Sequence, residues 1–256
     1  MQSPEEFRAA IRAKYPEAFS LYHDVAFIIE EAIQKPRRLV DEVARASDML
    51  MVQAYKAHAS AYLLAVRAQV EDAATIARRI LEIAVQTIYI TGDSDREICK
   101  QRAGRYLAYL WDSIPTEWRT KMPPEERTVW ETYYQAHQHR LPKKRKSWGP
   151  DFKSMFQEVG SLSTYEEDYS LLSGIAHGTP PSLVQDYAQP VVALRSDIFV
   201  PVMLVFASRY YLAVVGQWNN LFSLVSPSKL EELVERASRF FGKEESSNSS
   251  PPNRVT

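Results

Sequence analysis

The segment Tyr169-Ser-Leu-Leu-Ser173-Gly-Ile-Ala-His177-Gly178 sets Tyr169, Ser173 and His177 four residues apart. On a helix, that interval puts all three on one side, with Leu171, Leu172 and Ile175 on the other. A Ser and a His one turn apart can hydrogen-bond, and His is the side chain that changes charge near neutral pH. His177 is therefore a candidate general acid or base in a cleft. The competing reading is a helix cap, in which the imidazole satisfies the last carbonyls and suits the negative end of the dipole.

A second candidate lies upstream in Ala77-Arg-Arg-Ile-Leu-Glu82. Arg78 and Glu82 are four apart and can pair on one helix face, beside the apolar Ile76, Ile80, Ile83 and Val85. On the surface such a pair contributes only ~0.3–0.5 kcal/mol. Buried, it costs desolvation and calls for a reason. A third candidate is the run Arg140, Lys143, Lys144, Arg145 and Lys146 followed by Trp148. Such a run can neutralise phosphates, and a neighbouring aromatic can stack a base. Short basic runs also occur simply as solvated loops.

Other chemistry is poorly represented. His137 and His139 are two apart, on different sides of any helix, and no Cys or carboxylate spacing matches a zinc or calcium site. A Gly-rich phosphate loop and a Gly-x-Ser-x-Gly elbow are both missing, so neither metal nor cofactor is expected. Tyr106, Tyr109 and Trp111 recur at helical spacing and read as core.

Taken together, Arg78/Glu82, the basic loop Lys143–Trp148 and Tyr169/Ser173/His177 resemble an uncharacterised family of helical bacterial proteins. More distantly, the layout is similar to HEPN domains, helical bundles that often dimerise. Many of these are metal-independent ribonucleases of toxin–antitoxin and phage-defence systems. The resemblance implies an RNA-directed role in which His177 is the acid/base and Ser173 and Tyr169 orient it or the substrate. Arg78 would then stabilise phosphate charge, with Glu82 holding Arg78. The chain departs from the HEPN pattern in one respect. HEPN nucleases place Arg four to six intervening residues before His, and those positions are here Ser170, Leu171 and Leu172. His23, His58, His137 and His139 have no such Arg either. The alternative is a non-catalytic interaction module in which the same cluster is a polar network fixing helix register.

The elements that carry these residues read as helices throughout, giving an all-α bundle over residues 1–241 and a disordered tail over 242–256. The sequence has only 8 Gly in 256 residues, mostly between periodic segments, and Gly inside a helix costs about 1 kcal/mol. Ser3 with Pro4 starts a first helix, Pro16 a second, Pro36 a third running towards Val66, and Glu71 a fourth ending at Gly92. Further helices follow over Asp93–Asp112, from Pro115 and Pro123 to about His139, and over Asp151–Val159, Thr164–His177, Ile198–Leu224 and Ser228–Phe241. The balance of 31 basic against 32 acidic residues gives a net charge of −1, so any electrostatic site must be local. A single cysteine excludes an internal disulfide. Pro4, Glu5 and Glu6 do not resemble a signal peptide. The apolar stretch Ile198–Val215 is interrupted by Ser208 and Arg209, and it reads as a core helix or dimer face rather than a membrane span. The expectation is a cytoplasmic protein.

Overall fold

A computed structural model describes residues 3–141, 147–177, 197 and 199–247, and every regular element among them is helical. The chain begins as its sequence predicts. In α1 (Pro4–Lys14), Ser3 Oγ accepts from Glu6 N at 3.2 Å while the Glu6 carboxylate accepts from Ser3 N at 2.7 Å. This reciprocal box satisfies two N–H groups that the first turn leaves without partners. Pro16 opens α2 (Pro16–Ile33).

The third helix starts later than Pro36. It is α3 (Glu42–Ala65), capped by Asp41, which accepts from Ala44 N at 2.8 Å. The cause is a long-range pair: the Arg37 guanidinium forks onto the Asp48 carboxylate and also donates to Ile33 O at 2.8 Å. In a continuous helix Arg37 and Asp48 would stand about 16 Å apart along the axis, too far to meet. Trp218 Nε1 also donates to Asp48, at 3.1 Å, so this carboxylate ties the linker to a distant helix.

Next comes α4 (Val70–Thr91), closed by Gly92 as expected. It is followed by α5 (Arg96–Ser113), α6 (Thr116–Lys121), α7 (Pro124–His137) and one 3₁₀ turn at Gln138–Arg140. α5 and α7 approach closely at Gly104, where a Cβ would stand 2.2 Å from His137 Nε2. Beyond the basic run come α8 (Phe152–Glu158), a short α9 (Leu162–Thr164), a π turn at Tyr165–Tyr169, and α10 (Ser170–Ala176). The stretch that reads as one helix over Thr164–His177 is therefore wound in two ways. Finally α11 (Val200–Phe222) takes Pro201 into its first turn, and α12 (Pro227–Ser247) continues beyond Phe241. Residues 242–247, expected in the tail, are thus helical, and residues 248–256 lie outside the described residues.

α4 forms the centre. It packs against α3, α5, α8, α10 and α11. Ala73, Ala74, Ala77 and Ala84 are buried on it, and their small side chains let neighbours come close. α11 is long and apolar enough to cross a membrane by length and composition. In this fold it is packed on α2, α3 and α4, with Met203, Leu204, Tyr211, Val214 and Trp218 fully buried. The chain's own helices thus cover the surface that could have served a second copy. At its end, Asn219 accepts from Val225 N at 2.8 Å and donates to Val225 O at 2.9 Å, which sets the turn into α12.

One buried histidine joins three helices. His58 stacks on Tyr22 at 4.3 Å and on Tyr211 at 4.6 Å, with Ser208 Oγ 3.2 Å from its Nε2. Burial pushes its pKa down to about 3. The folded chain thus holds this ring neutral, whereas the unfolded chain protonates it below about pH 6.5. This contribution to stability is complete above pH 6.5 and is lost as the pH falls towards 3, at up to about 1.4 kcal/mol per pH unit. Urea melts at pH 7, 6, 5 and 4 should show a shallower acid loss in His58→Gln than in the parent. Parallel curves would refute this role.

Candidate functional site

α10 lies antiparallel on α4, and that crossing brings the two predicted segments together. Tyr169 OH donates to Glu82 Oε1 at 3.4 Å, and one turn along, Arg78 Nη1 donates to Ser173 Oγ at 3.4 Å. Arg78 Nε also stands 3.4 Å from Glu82 Oε1, and its guanidinium carbon lies 5.4 Å from the centre of the Tyr169 ring. Four of the five predicted residues, Arg78, Glu82, Tyr169 and Ser173, therefore form one network. The separations are long for hydrogen bonds, so charge and burial contribute more than short bonds do.

His177 is the fifth, and it stands apart. It caps α10, with its backbone N–H on Ser173 O at 3.1 Å, and its side chain is exposed. The register explains this. Glu82 meets Tyr169 and Arg78 meets Ser173, and both side-chain contacts end one turn before the exposed His177. No hydrogen bond joins the imidazole to Arg78 among the described residues.

Glu82 is only 8% exposed, and it serves two cations. Its Oε2 stands 3.3 Å from Arg79 Nη1, opposite the oxygen shared by Arg78 and Tyr169. Two guanidinium groups on one carboxylate leave the trio with a net charge of +1. Burial raises the Tyr169 pKa, and the neighbouring Glu82 charge raises it further, so the phenol keeps its proton and donates.

Arg79 leads to residues that sequence reasoning missed. Its Nη2 donates to Gln53 Oε1 at 3.4 Å, and Gln53 Nε2 donates to Tyr106 OH at 3.0 Å. Gln86, one turn beyond Glu82, donates to Glu82 O at 3.1 Å and accepts from Trp148 Nε1 at 3.3 Å. Arg79 and Gln86 had a local signal, since they lie three before and four after Glu82. Gln53 and Tyr106 had none, because tertiary packing alone brings α3 and α5 here. These residues line a cleft of about 370 Å³ with Tyr109, Ser147, Phe152 and Asp151. A larger cleft of about 440 Å³ lies between α2 and α12, but its cations are committed: Arg236 to Asp24 and Ser20, Arg239 to Glu235.

The base-stacking expectation for Trp148 is corrected. The ring is 5% exposed, packed 5.2 Å from Tyr106 and 5.9 Å from Tyr89, and its N–H is used on Gln86. An indole enclosed by two tyrosines is a packing residue. Lys143, Lys144, Arg145 and Lys146 lie outside the described residues.

Burial decides what each charge contributes. Removing the Glu82 charge strands Arg78 in a half-buried seam, whereas Arg79 is close to half exposed. Glu82→Gln should lower stability by about 1–3 kcal/mol, and Arg79→Ala by less than about 1 kcal/mol. Urea unfolding at pH 7 checks both, and equal losses would contradict the asymmetry.

No curated protein and no solved structure gives a significant match to the chain. Residues 48–189 match a protein family, and that span runs from early α3 through α4 and α10, including Arg78, Glu82, Tyr169, Ser173 and His177. The matched span is more than half of the sequence, and the chain belongs to DUF5677, a family of unknown function.

Proposed function

We propose that the chain is a HEPN-like helical protein that binds RNA and cleaves it without a metal, using the α4–α10 seam. Its setting would be bacterial stress or phage defence, as the family resemblance implies. The observation that carries the reading is the placement of Arg78. Its guanidinium is held by Glu82 and Tyr169, remains 26% exposed, and reaches Ser173 Oγ at 3.4 Å, a residue one turn before the exposed His177. The HEPN pattern lacks its arginine upstream of His177, and α4 supplies one across the seam instead.

The chemistry assigns a role to each group. His177 takes the proton from a ribose 2′-hydroxyl, and the 2′-oxygen attacks the adjacent phosphorus. The bond from phosphorus to the 5′-oxygen breaks, and water protonates that oxygen. Arg78 faces the charge that gathers on the phosphoryl oxygens, and its prior fixation by Glu82 spares it reorganisation at that moment. Ser173 and Tyr169 hold Arg78 and the end of α10. A homodimer, which the resemblance also implies, would use a face other than the buried α11.

A second reading rests on Glu82. A carboxylate 8% exposed between two helices is what a non-catalytic interaction module would use to fix helix register. The two separate on substitution. Under the RNA-directed reading, His177→Ala abolishes cleavage of a single-stranded RNA and leaves the melting temperature within about 1 °C, since the exposed ring supports nothing. Arg78→Ala cuts cleavage at least 100-fold, the scale of losing one preorganised charge-stabilising group. Cleavage undiminished in His177→Ala overturns the catalytic role. No RNA binding by the parent protein, with a clear melting loss in Arg78→Ala, establishes the structural module.

A further inference from the structure

The 370 Å³ cleft behind Arg79 is not used by the chemistry above, yet it has the chemistry of a binding site. Its size falls in the range of small-ligand pockets, about 300–1,000 Å³. The geometry points to a nucleotide subsite: a base lying between the aromatic and amide walls of the cleft, with its phosphate on Arg79. This inference uses the RNA-directed reading only for the source of the nucleotide, since the cleft's own groups define the ligand.

Three features select such a ligand. First, the walls suit a flat ring, because the half-buried Tyr109 and Phe152 line the cleft, with the packed Tyr106 and Trp148 behind them, and stacking on aromatics tolerates any base. Second, the polar groups suit the edge of a base. Gln53 and Gln86 each use one amide N–H on the protein among the described residues, on Tyr106 OH and Glu82 O, and an amide has two. Tyr106 OH accepts from Gln53, so its own hydrogen remains to be donated into the cleft. Burial pushes its pKa up to about 12, against the lowering effect of the Gln53 bond, which keeps that hydrogen in place. Third, the charge suits a phosphate. Arg79 is 47% exposed at the rim and belongs to the Arg78–Glu82–Arg79 trio with its net positive charge. The one acid among the described lining residues, Asp151, caps α8, accepting from Ser154 N at 3.0 Å and Ser154 Oγ at 3.1 Å; it keeps its charge there, so the phosphate belongs at the Arg79 rim and away from α8.

The placement also links the two sites. Arg78 faces the α10 seam and Arg79 the cleft, and both hold the same Glu82 carboxylate from opposite sides. A single strand crossing α4 at Glu82 would seat one base in the cleft and present the neighbouring phosphate to Arg78.

Calorimetric titration of the full-length protein tests this, using the four nucleoside 5′-monophosphates, adenosine, and a single-stranded RNA hexanucleotide. The expected result is saturable monophosphate binding that Tyr106→Phe weakens about tenfold, the scale of one lost hydrogen bond. Arg79→Met, at a half-exposed position that spares the fold, should weaken AMP about tenfold while leaving adenosine unchanged. Hexanucleotide binding tighter than monophosphate assigns the subsite to an RNA strand, and monophosphate binding alone assigns it to a free nucleotide. No binding of any of these to the parent, or binding that neither substitution weakens, overturns the subsite. Cleft-dependent binding without any RNA cleavage would leave the subsite standing and remove the nuclease reading. Cleavage dependent on His177, with both cleft variants at full affinity, would do the reverse.

Discussion

A carboxylate on the most enclosed helix of a bundle must find compensation, and the arrangement around Glu82 follows from that need. α4 is covered by five other helices, so a charge on it cannot rely on water. Arg78 and Arg79 supply the compensation from α4 itself, four and three residues before Glu82, and Tyr169 supplies it from the π turn that leads into α10. Because Tyr169 comes from another helix, satisfying Glu82 also fixes where α10 lies. The antiparallel register then follows, and with it the Arg78–Ser173 contact one turn away. Placing a long arginine in that seam also explains why it is half buried while still reaching solvent.

The same carboxylate divides the surface of α4 in two. Oε1 looks towards the seam and Oε2 towards the cleft, and each arginine is held by the oxygen on its own side. A single negative charge cannot neutralise both, so the face retains a preference for anions although the whole chain is nearly neutral. That preference is local, of the kind a net charge of −1 neither reveals nor forbids. Its effect falls within about a Debye length, roughly 8–10 Å, so it acts on groups that dock rather than on distant polyanions.

Local rules carried the sequence reading as far as local rules apply. The cap at Ser3, the start at Pro16 and the stop at Gly92 are set by neighbouring residues, and these boundaries agree with the structure. The Arg78/Glu82 pair was legible because helical spacing is local. Its meeting with Tyr169 and Ser173 spans 87 and 95 residues of chain, and spacing within one helix says nothing about which helices touch. The Pro36 start failed for the same reason, since Asp48 and Trp218 draw Arg37 out of any helix there. Trp148 was misjudged because its basic neighbours suggested solvent, whereas the indole found Gln86, Tyr89 and Tyr106. The π turn at Tyr165–Tyr169 has no simple composition signal, yet it ends on the network residue Tyr169, and such turns recur at functional sites.

The position of His177 bears on what kind of site this is. A histidine that only capped its helix could sit beside any neighbour, and one that belonged to a structural network would be expected to face a polar partner across the seam. Here the residue is exposed and makes no hydrogen bond to α4 among the described residues. The residues that stabilise the seam and the residue best suited to proton transfer are thus separated by one turn of α10. That separation lets the fold hold its cation rigidly without locking the titratable group into the same hydrogen bonds. Rigidity is useful in a group that must meet developing charge, and freedom is useful in one that must gain and release a proton. The exposed imidazole takes no part in the hydrogen bonds that satisfy Glu82, so the stability of the seam and any chemistry at His177 can be varied independently.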